Sequence, residues 1–297
     1  MAYSEFFGWS VFQQHDVVRV LNDPATFSNA VSTHLSAPNG MDPPEHAAYR
    51  RTIEPYFQPE KMTAFEPQCR QIAASLAQDR PALAALWAEF PAMCKPCCKA
   101  GTPAQNDIVA SLLEEQVNGR KLRDDEIVSL LRNWTVGEVG TMAASVGIVV
   151  GFLCEHPDLQ QLLRVQPSLL PGAIEEILRL HGPLVSNRRV TTCPVDIGGR
   201  RIEAGQRISL NWIATNRDGR VFDNASACQV DRDQSANLLW GAGIHICPGA
   251  PLARMEIRPA MEELLGRTTR ISMVPSQPAT WAVYPSSRFA TLPVRLR

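Results

Sequence analysis

Over most of its length the chain sets apolar residues three and four positions apart, the spacing that gives a helix one apolar face. The helical period predicts segments at 17–21, 62–76, 81–90, 107–113, 124–131, 158–163 and 252–265. Punctuation agrees with that division. Asn22-Asp23-Pro24 stops the first segment, while His156-Pro157 and Pro171 open later ones, since proline fits the first turn of a helix and not its interior. Asp42-Pro43-Pro44-Glu45 predicts one more helix, with Asp42 as N-cap and the prolines in the first turn. His46 and Arg50, four apart, then share a face. In the later part of the chain the period drops to two, placing strands at 185–192, 195–197, 201–202 and 208–212, broken by Gly198-Gly199 and Gly205. Residues 279–296 read as a closing hairpin. With no repeat and no low-complexity linker, the expectation is a mainly α fold with a small β region, one domain over residues 1–297.

Composition narrows the possibilities. A chain of 297 residues can bury a large core, and its net charge of −1 gives no electrostatic reason to expect nucleic acid or an anionic membrane surface. The uncharged run 139–154 is short for a membrane span and rich in Gly, Ser and Thr, so a buried helix is expected there. The start, Met1-Ala2-Tyr3-Ser4-Glu5-Phe6-Phe7, lacks the basic-then-apolar plan of a signal peptide. Eight scattered cysteines do not make a disulfide scaffold in a chain this long, which points to a reducing, cytoplasmic compartment. Cys94-Lys95-Pro96-Cys97-Cys98 contains a C-x-x-C, but no second pair or nearby histidine completes a zinc site, and no nucleotide-binding glycine motif occurs.

The chemistry concentrates in Trp240-Gly241-Ala242-Gly243-Ile244-His245-Ile246-Cys247-Pro248-Gly249-Ala250. Pro248 suits a first helical position, so Cys247 is expected near a helix N-terminus, where free N–H groups and the positive dipole end favour a thiolate. A thiolate is a ligand for soft metals and haem iron. Gly241, Gly243 and Gly249 would let the backbone approach a bulky ligand, and His245 could reach a carboxylate on it.

This loop resembles the haem-binding signature of the cytochrome P450 family, in its soluble bacterial form. The resemblance implies a haem-thiolate monooxygenase that carries haem b (iron protoporphyrin IX), with Cys247 as the axial iron ligand, inserting one oxygen atom into a small apolar or aromatic molecule. Ferredoxin and ferredoxin reductase would supply electrons. It also assigns roles to residues that alone read as solvated charges. Glu176 and Arg179 match the family's E-x-x-R, and Arg232, fifteen residues before Cys247, stands where the third member of that structural triad belongs. His46, Arg50, Arg189 and His245 become four cations for two haem propionates, with Arg188 an adjacent candidate to Arg189. Val136, Leu184 and Val185 fall at positions that would face substrate.

Two departures from the family pattern stand out. On the oxygen side the stretch reads Gly137-Glu138-Val139-Gly140-Thr141. Thr141 keeps the alcohol that would relay protons, but Gly140 replaces the usual acid; Glu138, three residues before Thr141, either substitutes or faces solvent. Trp240 replaces the usual phenylalanine seven residues before the cysteine, and its indole N–H could bond the sulfur. The second departure is length: the resemblance expects further lid helices around 78–81 and a longer N-terminal segment. A shortened lid would leave apolar surface that favours a homodimer. The rival readings are a non-catalytic haem-binding protein, which the missing acid favours, and a zinc or thiol module at Cys94, Cys97 and Cys98.

Overall fold

The longest apolar run of the chain becomes its central helix. In the computed structural model, which describes residues 1–78, 108–282, 284, 287 and 289–297, helix runs unbroken from Asp124 to Glu155. It is built as α5 (Asp124–Thr135), a π-helical turn (Val136–Thr141) and α6 (Met142–Glu155). By length and composition this stretch could cross a membrane, yet 59% of its most apolar window is buried inside the fold. The buried helix expected at 139–154 is thus present, with Met142, Val146, Val149, Val150 and Leu153 in the core.

Around α6 pack α7 (Pro157–Val165), α8 (Leu170–His181) and α10 (Ala250–Arg267), which share one apolar cluster. A second cluster joins α1 (Gln14–Asn22) to a five-stranded sheet. A third lies under α2 (Glu45–Ile53), α4 (Ile108–Glu114) and α5. Helix α3 (Pro59–Gln78) lies against α10, and Arg70 there bonds Glu262 at 2.6 Å. A one-turn helix, α9 (Trp212–Thr215), follows the last strand of the sheet.

The sheet contains β1 (Ala2–Ser4), β2 (Gly8–Val11), β3 (Phe27–Ser28), β6 (Ser186–Thr191) and β9 (Arg207–Asn211), in the order β1-β2-β9-β6-β3. Only the β2 and β9 pairing is parallel. Small hairpins form from β4 (Gln116–Val117) with β5 (Arg120–Lys121), and from β7 (Val195–Ile197) with β8 (Arg200–Ile202). Strands β6 to β9 match the alternating pattern. The first two strands escape it: β1 and β2 form a short antiparallel hairpin, and the sheet partner of β2, β9, lies nearly two hundred residues away. The closing hairpin is only partly as expected. Strand β11 (Thr280–Trp281) pairs with β12 (Phe289–Thr291), but β13 (Val294–Leu296) turns to β10 (Ile271–Met273), a strand the pattern did not reveal. Likewise Trp212 leaves the strand, because the Asn211 side chain accepts the Ala214 N–H and starts α9.

Asp42 does not cap α2. Pro44 stands at the N-cap position, and the Asp42 carboxylate instead accepts the Asn29 N–H at 2.9 Å and the Ser28 hydroxyl. Those donors sit at the end of β3, so Asp42 ties the sheet to α2 rather than closing the helix. The expected helix at 81–90, the lid helices missing near 78–81 and the cysteine cluster at 94–98 lie outside the described residues.

Two buried carboxylates hold these layers together. Glu126 accepts the Tyr49 hydroxyl at 2.5 Å, two bonds from Arg120 and the Arg123 N–H, linking α2 to the start of α5. Glu176, with no exposed surface, accepts Arg179 at 2.7 Å, Arg232 at 2.9 Å, the Gln229 N–H and Gln234. Burial alone would raise the Glu176 pKa, but these donors overcome it and bring it to about 2. Arg179 in turn bonds the carbonyls of Asn216 and Ala225 and lies over the Phe222 ring. The triad expected from E-x-x-R and Arg232 is therefore assembled and dry. Arg179→Ala leaves Glu176 buried without one of its two guanidinium partners, a loss on the order of 3–5 kcal/mol; insoluble protein or a large fall in unfolding midpoint is expected, and a variant as stable as wild type would break the assignment.

Candidate functional site

The cysteine loop is shaped by its contact with α1 and by its approach to α10. Helix α10 starts at Ala250 with Pro251 in its first turn, so Pro248 lies before the helix and not at its first position. Cys247 precedes the N-cap Gly249 by two residues, and its sulfur still collects the Gly249 and Ala250 N–H groups. Those N–H groups and the charges of Arg50 and Arg254 favour a thiolate, as expected of this position. Burial outweighs them and raises the thiol pKa, so the helix terminus alone does not make a free thiolate here.

The glycines divide by cause. Gly241 has φ of 75° and Gly243 of 68°, both left-handed. A Cβ at Gly243 would meet the Leu21 carbonyl at 2.4 Å, so its lack of a side chain serves the packing of α1 and not a ligand. At Gly249 a Cβ would make only ordinary contacts, 3.8 Å from Phe57 and 3.9 Å from the Cys247 sulfur. The chain itself does not demand glycine there.

Trp240 accepts the Cys247 N–H on its carbonyl at 2.8 Å. Its indole N–H is not on the sulfur: it donates to Glu175, at 3.0 Å, which also pairs with Arg254 at 2.7 Å. The pattern did not single out Glu175, whose only signal was an acidic residue beside Glu176.

Basic side chains converge from three elements, α2, β6 and the cysteine loop itself. His46 of α2, 3% exposed, packs its ring against His245 of the loop, centroids 4.2 Å apart. The Nε2 atoms of both rings are buried and lack a hydrogen-bond partner. Arg189 of β6 is 5% exposed and bonds only the Arg188 carbonyl, with no carboxylate among the described residues in ion-pair range. Strand alternation turns Arg188 outward, which separates the two candidates. Arg50 rests on Glu54 at 2.9 Å. Burial and the charges of His46, Arg189 and Arg50 press the His245 pKa down to about 3. Burial lowers Arg189 to about 10, against a weaker opposing pull from Asp42. Two guanidiniums beside two imidazoles that burial holds toward the neutral form, each with an orphaned ring nitrogen, make an incomplete polar set, and a ligand bearing carboxylates completes it.

The oxygen-side residues lie on the π turn. Such turns leave the ordinary helix ladder and recur at functional sites. Thr141, half-buried, donates its hydroxyl to the Gly137 carbonyl, and Ser145 donates to the Thr141 carbonyl at 2.8 Å. Added Cβ atoms at Gly137 and Gly140 would meet nothing within 4 Å among the described residues. Val136 is 66% and Leu184 37% exposed, with Val185 half-buried beside it. The side chain of Glu138 falls outside the described residues.

Comparison with known proteins agrees with this geometry. The cytochrome P450 family model matches residues 95–277. A cyclomarin C epoxidase, CymV, of Salinispora arenicola is 27% identical over 89% of this chain and 84% of its own length. The erythromycin C-12 hydroxylase of Saccharopolyspora erythraea is 28% identical over 89% of this chain and 83% of its own. Among solved structures, a mutant of P450 EryK in complex with erythromycin B superposes with a TM-score of 0.87 at 26% identity, covering 99% of this chain and 92% of that one. The chain belongs to the cytochrome P450 family. It is a haem monooxygenase, an oxidoreductase of a family whose bacterial members generally act on small molecules with electrons from ferredoxin-type donors.

The glycines give the first test of this site. Gly243→Ala should cost the haem-free chain about 1–3 kcal/mol, for positive φ and backbone collision together. Gly249→Ala should cost clearly less in the same urea titration, yet impair haem loading. The reverse order of stabilities would contradict the roles given to the two positions.

Proposed function

We propose that residues 1–297 form one haem-thiolate domain that holds haem b between Cys247 and the turn at Thr141, and hydroxylates or epoxidises a small apolar or aromatic substrate. The observation that carries this reading is the convergence of His46, Arg50, Arg189 and His245 beside the Cys247 sulfur, with Arg189 in no ion pair among the described residues and the Nε2 atoms of His46 and His245 unbonded. Two propionates would answer the two guanidiniums, and the orphaned Nε2 atoms of His46 and His245 would turn an N–H to carboxylate oxygens. Cys247 would be the iron ligand, its sulfur steadied by the Gly249 and Ala250 N–H groups. Gly137, Trp240, Gly241 and Gly249 would line the group. When bound, haem supplies the activation of dioxygen, one oxygen atom passing to substrate and the other leaving as water.

The chain's own part on the oxygen side is proton handling. The Thr141 hydroxyl, parked on the Gly137 carbonyl, can rotate to donate elsewhere, and refilling it requires an acid. Gly140 supplies none, which leaves Glu138 as the surrogate. Val136, Leu184 and Val185 offer apolar surface for the substrate. Ferredoxin with its reductase would be the donor pair, the cytoplasm the compartment. Exposed Ile108, Leu113 and Val128 support a homodimer.

Two measurements test the reading. Reduced, carbon monoxide-bound protein should give the haem-thiolate spectrum, and Cys247→Ala should abolish it while Cys97→Ala does not; an unchanged spectrum in Cys247→Ala excludes the ligand assignment. Because the acid before Thr141 is missing, ferredoxin-driven turnover should leak to peroxide, and hydrogen peroxide should drive oxidation of an aromatic probe at least as fast. Glu138→Gln should lower both routes together, by about 10²-fold if Glu138 is the proton source. Tightly coupled ferredoxin turnover indifferent to Glu138 would refute this.

A further inference from the structure

We propose that Glu175 is a positioning residue for the cysteine loop, setting through Trp240 and Arg254 how readily the iron on Cys247 takes an electron. The proposal rests on the haem-thiolate reading and adds a residue to it. Glu175 sits on α8 directly before the Glu176 hub, with its side chain 14% exposed. Both of its oxygens are engaged twice. Trp240 donates its indole N–H at 3.0 and 3.3 Å, and Arg254 of α10 donates from Nε at 2.7 Å and Nη2 at 3.3 Å. The Arg254 guanidinium also lies over the Trp240 ring, 5.1 Å from its centroid. Carboxylate, indole and guanidinium therefore form a closed brace, in which each group fixes the other two.

The brace reaches the sulfur by two routes. The Trp240 carbonyl accepts the Cys247 N–H at 2.8 Å, so orienting Trp240 orients the cysteine. The charge of Arg254 is felt at the sulfur, where it favours the anion. Glu175 acts on both routes. It holds the indole N–H away from Cys247, where a donor would drain charge from the sulfur, and it cancels the Arg254 cation. Adding one electron makes the iron–thiolate unit more negative, so a brace that withholds a donor and a positive charge disfavours reduction. A purely mechanical link between α8 and α10 would predict lost stability and no change in electron affinity.

The test uses the haem-loaded protein, poised against redox dyes, as wild type, Glu175→Gln, Arg254→Gln and the double variant. Glu175→Gln should raise the ratio of reduced to oxidised iron at fixed potential about tenfold, equivalent to 59 mV for one electron. Arg254→Gln should lower it or leave it unchanged, and the double variant should return toward wild type, since charge balance is restored. A Glu175→Gln protein at the wild-type ratio, or a double variant that keeps the raised one, overturns the proposal. A second measurement does not depend on haem: the ¹⁵N–¹H indole resonance that vanishes in Trp240→Phe should shift in Glu175→Gln. An unmoved resonance also overturns the proposal. Absence of a thiolate spectrum in wild type would instead defeat the haem-thiolate reading, leaving the indole resonance to decide whether the brace exists.

Discussion

The carboxylate of Glu176 is the point on which the rest of the structure hangs. It is fully buried and ionised, a state that costs several kcal/mol unless donors surround it. Arg179, Arg232, Gln229 and Gln234 are those donors, and three of them belong to the long irregular segment between α9 and the cysteine loop. A stretch with so little regular secondary structure has few ladder bonds to hold its path. Its course is fixed by what Glu176 and Arg179 demand, Arg179 taking up the Asn216, Ala225 and Ala227 carbonyls. Glu175, one residue earlier on the same helix, grips the next part of the segment at Trp240. Consecutive acids on α8 thus determine where Cys247 stands.

With the loop fixed, the cation set follows from topology. His46 comes from α2, Arg189 from β6 and His245 from the loop, so residues separated by up to two hundred positions share one enclosed space. The Glu126 hub holds α2 against α5, and Asp42 holds it against β3. These two anchors keep His46 pressed on His245 although both nitrogens lack partners. A folded chain does not keep polar atoms buried and unpaired without something to gain, which is why the cradle reads as a binding site and not as a packing accident.

Much of this was legible in the residues. The helical periods, the strands at 186–211 and the cysteine loop all declare themselves locally, and the E-x-x-R pair could be placed because three-residue spacing puts both side chains on one helical face. What the pattern could not show depends on distant partners. Nothing in Gly8-Trp9-Ser10-Val11 reveals a parallel partner at β9, and nothing in Ile271-Ser272-Met273 reveals β13. Asp42 looked like a cap because the sequence does not display Ser28 and Asn29 beside it. Gly243 looked like a ligand glycine because the competing neighbour, the Leu21 carbonyl, comes from α1. The indole of Trp240 was free to bond the sulfur until a carboxylate sixty-five residues earlier claimed it.

The central claim is that His46, Arg50, Arg189 and His245 form a cradle for carboxylates. Titrating haem-free protein with iron protoporphyrin IX and, separately, with its dimethyl ester tests it most directly, because the two differ only at the propionates, which the ester leaves uncharged. The account predicts that the free acid binds at least tenfold more tightly, and that this advantage shrinks in Arg189→Leu and His46→Phe. Equal affinity for acid and ester would contradict it.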